Sequence, residues 1–411
     1  LKFFPGAIPA VSNIPKAVRI KPPKRQVGLL IEASRAYGRG LLGGISRYVR
    51  EHRNWSVQYE EWTWGNPPPL WLKNWRGDGI IVRMESQAMA SALERLDVPK
   101  VDLRGSIPRL GLPLIDTDDR RVAILAAEHL IERGFRHFAF CGFVGANYSD
   151  KRSRWFAEYV HRRGFPCDSF TPSIPHSSKA TLQLERPNQQ FDRELVAWLA
   201  RLPKPVGIMA CNDIRGQQVL GVCRRSGIIA PDEAAVIGVD NDEVLCELAD
   251  PPLSSVEPNV RRIGYEAAAL LESLMQGQAP PRSPLYIEPT GIVIRQSTDV
   301  LAIPDRSITA VLRHIREHAC DGVRVADLIP VAALSRSVFE HRFKQLVGHS
   351  PKAEILRVQL GRARQLLEES DLTLAGIADK CGFKYPEYFA TLFRQKHDMT
   401  PGDYREKSRR I

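Results

Sequence analysis

Two phenylalanine pairs, Phe339/Phe343 and Phe389/Phe393, stand fifty residues apart near the end of this 411-residue chain. Each pair has the i, i+4 spacing that puts both rings on one face of a helix. Ahead of each lies a short helical segment and a turn, Val325–Ala333 before the first pair and Thr373–Cys381 before Gly382 and the second. Ser335 suits the N-cap of a helix over Arg336–Val347, in which Phe339, Phe343 and Leu346 read as a buried stripe with Val338 beside them. In the second unit Ile377, Ala378, Cys381, Phe389, Leu392 and Phe393 read as core. Pro386 suits an early helical position, where its missing N–H loses no bond. Ala353–Leu367 reads as one long helix joining the two units. The repeat therefore constrains residues 306–411 to an all-α domain with two helix-turn-helix motifs.

The faces opposite the stripes are polar. The first carries Arg336, Ser337, Glu340, His341 and Lys344, and the second Pro386, Glu387, Ala390, Thr391 and Arg394, with Lys384 just ahead. A helix fits the major groove of B-DNA, and two held about 34 Å apart meet successive grooves. An ordinary helical domain with solvated faces is the plain alternative. From Arg306 on there are 19 Lys and Arg against 13 Asp and Glu, a basic balance that fits nucleic acid or another anionic surface.

Upstream the periodicity changes. Val27–Ala33, Ser56–Glu61, Asp78–Val82, Lys100–Leu103, Phe138–Cys141, Val206–Cys211 and Ala235–Asp240 read as strands, and Tyr286–Ile294 as terminal strands. Helices are expected over 36–52, 123–132, 152–163, 191–200, 217–225 and 262–276. Strand–helix alternation argues for parallel sheets covered on both faces, here as two α/β lobes, roughly 26–134 and 135–262. Two strands run into Asn212-Asp213 and Asp240-Asn241, at the edge where open α/β sheets take their ligands. Residues 297–305, with Pro304, read as a linker, and 166–190 as a loop. Residues 1–25 carry six basic and no acidic side chains and read as a disordered extension, with a DNA-contacting arm as the sharper alternative.

IDTDDRRVAILAAEHLIERGFRHFAFCG, MACNDIRGQQVLGVCRRSGIIAPDEAAVIGVDNDE and PPLSSVEPNVRRIGYEAAALLESL resemble the effector-binding core of LacI-type regulators. The resemblance covers about 26–296 and implies the type I periplasmic-binding-protein-like fold of sugar sensors. That family's N-terminal helix-turn-helix and hinge helix have no counterpart in residues 1–25. IADKCGFKYPEYFATLFRQKHDMTPGDYR and LSRSVFEHRFKQLVGHSP resemble the AraC/XylS transcription regulators. Pro330, inside the first short helix, and Ala333, where the turn often has Gly, depart from that pattern. The resemblance implies base-facing positions at Ser337, Glu340, His341, Pro386, Glu387, Ala390 and Thr391, and phosphate contacts at Arg336, Lys344, Lys384 and Arg394.

RAYGRGLLGGISRYVRE, NDIRGQQVLGVC and GVDNDE, with this order of modules, resemble the xylose-operon regulators. That implies a cytoplasmic, homodimeric activator of xylose catabolic genes. Its partners would be double-stranded DNA, D-xylose and RNA polymerase, with no cofactor and no membrane. Another monosaccharide, or repression, is the alternative. A sugar needs groups that bracket hydroxyls by charge-assisted bonds. The candidates are Tyr37, Arg39, Glu60, Glu61, Arg152, Asp213, Arg215, Asp240 and Asn241. Helix N-capping is the other reading of the aspartates. Trp62 and Trp64 fit stacking or core packing equally.

Other classes lack their signatures. The chain has no P-loop, GxSxG or HExxH, and Gly40 to Gly44 sit inside a helical pattern and form no phosphate cradle. A transport binding protein would leave the basic helical domain unexplained. The seven cysteines are an odd number without CxxC and read as buried free thiols of a reducing compartment.

Overall fold

The computed structural model describes residues 24–60, 66–84, 86–107, 110–143, 145–170, 189–303 and 305–409. Residues 1–23, Glu61, Trp62, Trp64, Pro304 and most of the loop expected over 166–190 lie outside the described residues. The chain divides into two compact units. The first holds the described residues up to Ala33, Gly38–Ile115 and Arg261–Leu285. The second holds Ser34–Tyr37, Asp116–Val260 and the chain from Tyr286 on.

In the first unit four strands, β1 (Arg25–Leu30), β2 (Trp55–Tyr59), β3 (Gly79–Val82) and β4 (Lys100–Asp102), form a parallel sheet in the order β2-β1-β3-β4. Helix α1 (Ala36–His52) runs over the bounds its periodicity predicts, and α2 (Gln87–Glu94) is capped by Ser86. Two glycines of α1, Gly38 and Gly44, serve close packing. A Cβ on Gly44 would meet the Arg261 carbonyl at 2.0 Å, so the backbone following Val260 comes too close for any side chain.

The second unit is built on a six-stranded sheet in the order β12-β10-β9-β8-β6-β7. Its strands are β6 (His137–Cys141), β7 (Cys167–Phe170), β8 (Val206–Ala210), β9 (Ala234–Val239), β10 (Ser254–Glu257) and β12 (Gly291–Val293), and only β12 is antiparallel. β5 (Ile115–Thr117) and β11 (Leu285–Ile287) form a separate ladder. Side chains alternate across the large sheet. Phe138, Phe140, Met209, Ile237 and Val239 face α3 (Asp119–Glu132) and α4 (Asn147–Arg162). Ala139, Ile208, Ala210 and Val236 face α5 (Gln189–Arg201) and α6 (Asp213–Arg225). The lobe boundary expected near 134 falls at Asp116 instead, because Val122, Ala123, Ala126 and Leu130 of α3 bury themselves against Phe138 and Met209. Helices α7 (Glu243–Leu248) and α8 (Val260–Met275) follow, and α8 carries the chain back into the first unit.

Residues 297–303 are more than a tether. Ser297 and Thr298 are buried, with the Ser297 hydroxyl donating to the Val236 carbonyl at 2.6 Å. From there α9 (Arg306–His318), capped by Asp305, opens the all-helical part. It continues through α10 (Val325–Ala332), α11 (Arg336–Val347), α12 (Pro351–Glu369), α13 (Leu374–Lys380), α14 (Pro386–His397) and α15 (Pro401–Arg409). Two cores form. Phe339 and Phe343 join Ile308, Val311, Ile315 and Leu328, while Phe389 and Phe393 join Leu360, Ala363, Leu367, Ile377 and Cys381. Helix α12 gives Ile355 to the first core and its later residues to the second. Its 19 residues make a rod about 28 Å long.

Three local expectations change. Val338 and Leu346 are 45% and 37% exposed, and Val347 is buried instead, because the packing of Ile355 and its neighbours against the helix, not helical period alone, decides which flank of the stripe is covered. Ser335 sits at the N-cap without a side-chain bond, whereas Ser350 and Thr373 make such bonds. Pro330 lies inside a continuous α10, and Ala333 takes φ +51°, a backbone shape usually left to glycine. In the second motif Gly382 has φ +76°, and a Cβ there would meet the Cys320 carbonyl at 2.7 Å. Gly382→Ala should therefore lower the unfolding midpoint of the helical domain by the equivalent of about 1–2 kcal/mol or more. Gly361→Ala, in open space within α12, should raise it by up to about 1 kcal/mol. Denaturant titration followed by near-ultraviolet signals of the domain compares the two.

Candidate effector edge and DNA-reading surface

Strands β6, β8, β9 and β10 all end on one side of the second unit's sheet, and polar residues collect there. Arg152 of α4 is 3% exposed. Its Nε donates to Asp119 Oδ1 at 2.8 Å, its Nη1 donates to the Cys211 carbonyl at 2.6 Å, and its guanidinium lies over the Tyr148 ring. Burial works against its charge, but Asp119 and Asp240 more than restore it. Arg215, also buried, lies 4.1 Å over the Phe143 ring and donates to Gln218.

The alternative of N-capping resolves locally. Asn212 is the N-cap of α6, accepting from the Arg215 amide. Helix α6 starts four residues earlier than its apolar pattern suggests, so Asp213 falls in its first turn. There Asp213 accepts from the Ser255 hydroxyl at 2.6 Å and the Asp242 amide at 2.8 Å. After β9, Asp240 and Asn241 take φ +107° and +47°. Consecutive non-glycine residues in that region store on the order of 1–3 kcal/mol each and cluster at binding sites. Asn241 accepts from Arg295 at 3.0 Å and donates to Glu257 at 3.2 Å. In the same unit the Tyr37 hydroxyl pairs with Thr117 at 2.8 Å and reaches Asp116 Oδ1 at 3.4 Å.

The first unit has an equivalent edge, whose buried charged residues are not among those the sequence singles out there. Glu32 lies just past β1, Arg83 follows β3, Asp102 ends β4, and Arg104 lies two residues beyond it. All four are buried, and Arg83 pairs with Glu32 at 3.5 Å. Burial pushes the Asp102 carboxyl up, although backbone amides, those of Met84, Arg104 and Gly105 among them, donate to it. The available signal was a charged residue directly after each apolar strand run. Arg39 is exposed and donates to the Ala33 carbonyl, and Glu60 is exposed past the end of β2. Asp119, Ser255 and Arg295 were also missed, because nothing local marks a residue whose partner is far along the chain.

On the helical part, Arg336, Ser337, Glu340, His341 and Lys344 of α11 line one open concavity. Arg336 holds Glu340 at 3.0 Å, which aims the carboxylate along the helix. On α14 and just ahead of it, Lys384, Glu387, Thr391 and Arg394 are exposed, and Pro386 and Ala390 are partly so. Tyr385 and Tyr388, 57% and 51% exposed, share this region and were not expected. Carboxylates can accept from cytosine N4, hydroxyls pair with several base edges, and exposed cations suit phosphates. Among the described residues no group of His, Cys, Asp or Glu is arranged to hold a metal ion. Nor is any helix among them long and apolar enough to cross a membrane.

Comparison with known proteins matches this two-part geometry. A XylR N-terminal domain matches residues 26–111, a periplasmic binding protein-like domain 127–298 and a helix-turn-helix domain 330–407. The chain is 32% identical to the xylose operon regulatory protein of Escherichia coli strain K12, over 93% of this chain and 97% of that protein. The chain belongs to the family of xylose operon regulatory proteins. The Haemophilus influenzae member is 29% identical over 92% of this chain and 98% of its own. The structure of the xylose-binding transcription activator xylR matches with a TM-score of 0.74 at 30% identity, covering 93% of this chain and 98% of that one. A member of this family is a sugar-sensing, AraC-type transcription regulator and not an enzyme.

The titration of Asp213 gives a test of the effector edge. Burial first, and then the Asp240 carboxylate, push its carboxyl up to about 8 from an ordinary 3.8. A raised carboxyl favours the folded chain while protonated. That contribution is complete below the unfolded value and is lost as pH rises through about 8. Asp213→Asn should therefore flatten the decline in thermal midpoint between about pH 4 and 8. A wild-type slope in the variant would show that Asp213 is ionised throughout.

Proposed function

We propose that this chain is a D-xylose-dependent transcription activator. In this reading D-xylose binds at the carboxyl edge built around Asp213, Asp240, Asn241, Arg152 and Arg215, with Tyr37 of the same unit as a further candidate contact. The observation that carries it is that this edge and the two reading helices belong to one compact unit. The relatives' own description, as xylose operon regulatory protein and xylose-binding transcription activator, suggests the sugar.

The hydroxyls of a free sugar are both donors and acceptors, so a set holding carboxylates, an amide and guanidinium groups meets both needs. The sugar favours whichever conformation gives it more contacts, and it shifts the population by no more than its differential affinity. The favoured conformation presents α11 and α14 to DNA. Ser337, Glu340, His341, Glu387 and Thr391 read base edges, with Pro386 and Ala390 against them. Arg336, Lys344, Lys384 and Arg394 hold phosphates. A homodimer would bring four such helices to repeated half-sites, and bound DNA would place the protein beside RNA polymerase.

Operator binding measured by fluorescence anisotropy should tighten with D-xylose more than with L-arabinose or D-ribose, and Asp213→Ala should abolish the gain. An equal response to all three pentoses, or none, overturns the assignment of the sugar. Glu387→Ala and Thr391→Ala should each relax preference at single base pairs by about 1–3 kcal/mol, read from competition with mutated half-sites. Lys384→Ala and Arg394→Ala should instead weaken all sequences alike and reduce the salt dependence.

A further inference from the structure

Two aspartates of the sensor part reach the helical part within the second unit. Asp232, whose side chain is 2% exposed, lies at the entrance to β9. Arg316 Nη2 donates to its Oδ1, and Arg313 Nε stands 3.3 Å from Oδ2, both arginines coming from α9. Asp299 receives Arg357 Nη1 of α12 at 3.0 and 3.2 Å. The Arg357 fork is already fixed in direction, because its Nε and Nη2 each donate to Glu354 at 2.8 Å.

Each aspartate hangs on an element whose far end carries a residue of the effector edge. Strand β9 begins just after Asp232 and runs into Asp240. Asp299 follows Thr298, which the C-terminal end of α3 grips through His129 Nε2 at 2.8 Å and through Nε of its capping residue Arg133 at 2.7 Å. The first residue of α3 is Asp119, the partner of Arg152. We propose that Asp232 and Asp299 are positioning residues that clamp α9 and α12 to these two elements and carry the effector response to the reading helices. This rests on the sugar-responsive reading given above. Asp232 carries the larger share. Removing it leaves Arg316 mostly buried without its counter-ion, whereas the Asp299 pair is partly solvated and correspondingly weaker.

The test uses the full chain with Asp232→Asn, Asp232→Asn combined with Asp299→Asn, and the charge exchange Asp232→Arg with Arg316→Asp. Three quantities are measured: operator affinity with and without saturating D-xylose, D-xylose affinity by calorimetry, and amide exchange over Arg306–His318. Coupling between sites typically amounts to roughly 5- to 150-fold in affinity. The neutral variants should keep D-xylose binding but bring the operator-affinity ratio to within about twofold of one, with faster exchange in α9. The charge exchange should restore part of the ratio. A wild-type ratio with unchanged α9 exchange in Asp232→Asn overturns the clamp, and so does loss of D-xylose binding, which would make the residue a support of the sensor fold. If the wild-type chain itself shows no D-xylose response, the sugar reading fails, and the α9 exchange comparison still decides whether the aspartates hold the helix.

Discussion

The second unit depends on a guanidinium that has left water. Taking such a charge inside costs several kcal/mol unless an opposite charge and hydrogen bonds meet it. Arg152 is met by Asp119, by the Cys211 carbonyl and by the face of Tyr148, so one side chain joins α3, α4 and the end of β8. Asp213, close by, has the opposite problem: buried beside Asp240, with no ion pair to a cation among the described residues, it shifts toward its neutral form. A fully paired cation thus stands next to a carboxyl held toward its neutral form.

In the helical part the phenylalanines and the reading faces divide the work. Phe339, Phe343, Phe389 and Phe393 have no exposed surface, so they fix α11 and α14 and cannot touch DNA. Two small cores would be marginal separately. Helix α12 contributes to both and sets their spacing, which makes them one body. Unusual residues at the first turn are absorbed rather than fatal. Pro330 forgoes one backbone bond in a helix of only eight residues, and Ala333 accepts a positive φ that closes it against Ile329 and Pro330.

Much of this was legible because periodicity survives without knowledge of partners. The alternation in Phe138–Cys141 sorts its residues to two faces whatever covers them, and the i, i+4 phenylalanines find the same face in both motifs. The edge candidates were legible only as types. Asp213 could be a cap or a ligand group in the sequence, and only the structure shows that Asn212 takes the cap. Glu32, Arg83, Asp102 and Arg104 were passed over because each is a single charge at the end of an apolar run, ordinary until the strands align their ends.

The sequence by itself determined the two architectures, their order, and the faces that are buried or free, because those follow from local spacing and side-chain solubility. It determined the family as well, since motifs at fixed offsets are a property of the chain. Only the tertiary structure decided that α3 belongs with the second sheet, that residues 297–303 are anchored to it, and that Asp232 meets Arg316 across 84 positions of sequence. Those contacts depend on which charges arrive together when water is excluded, and no window along the chain contains both members of such a pair.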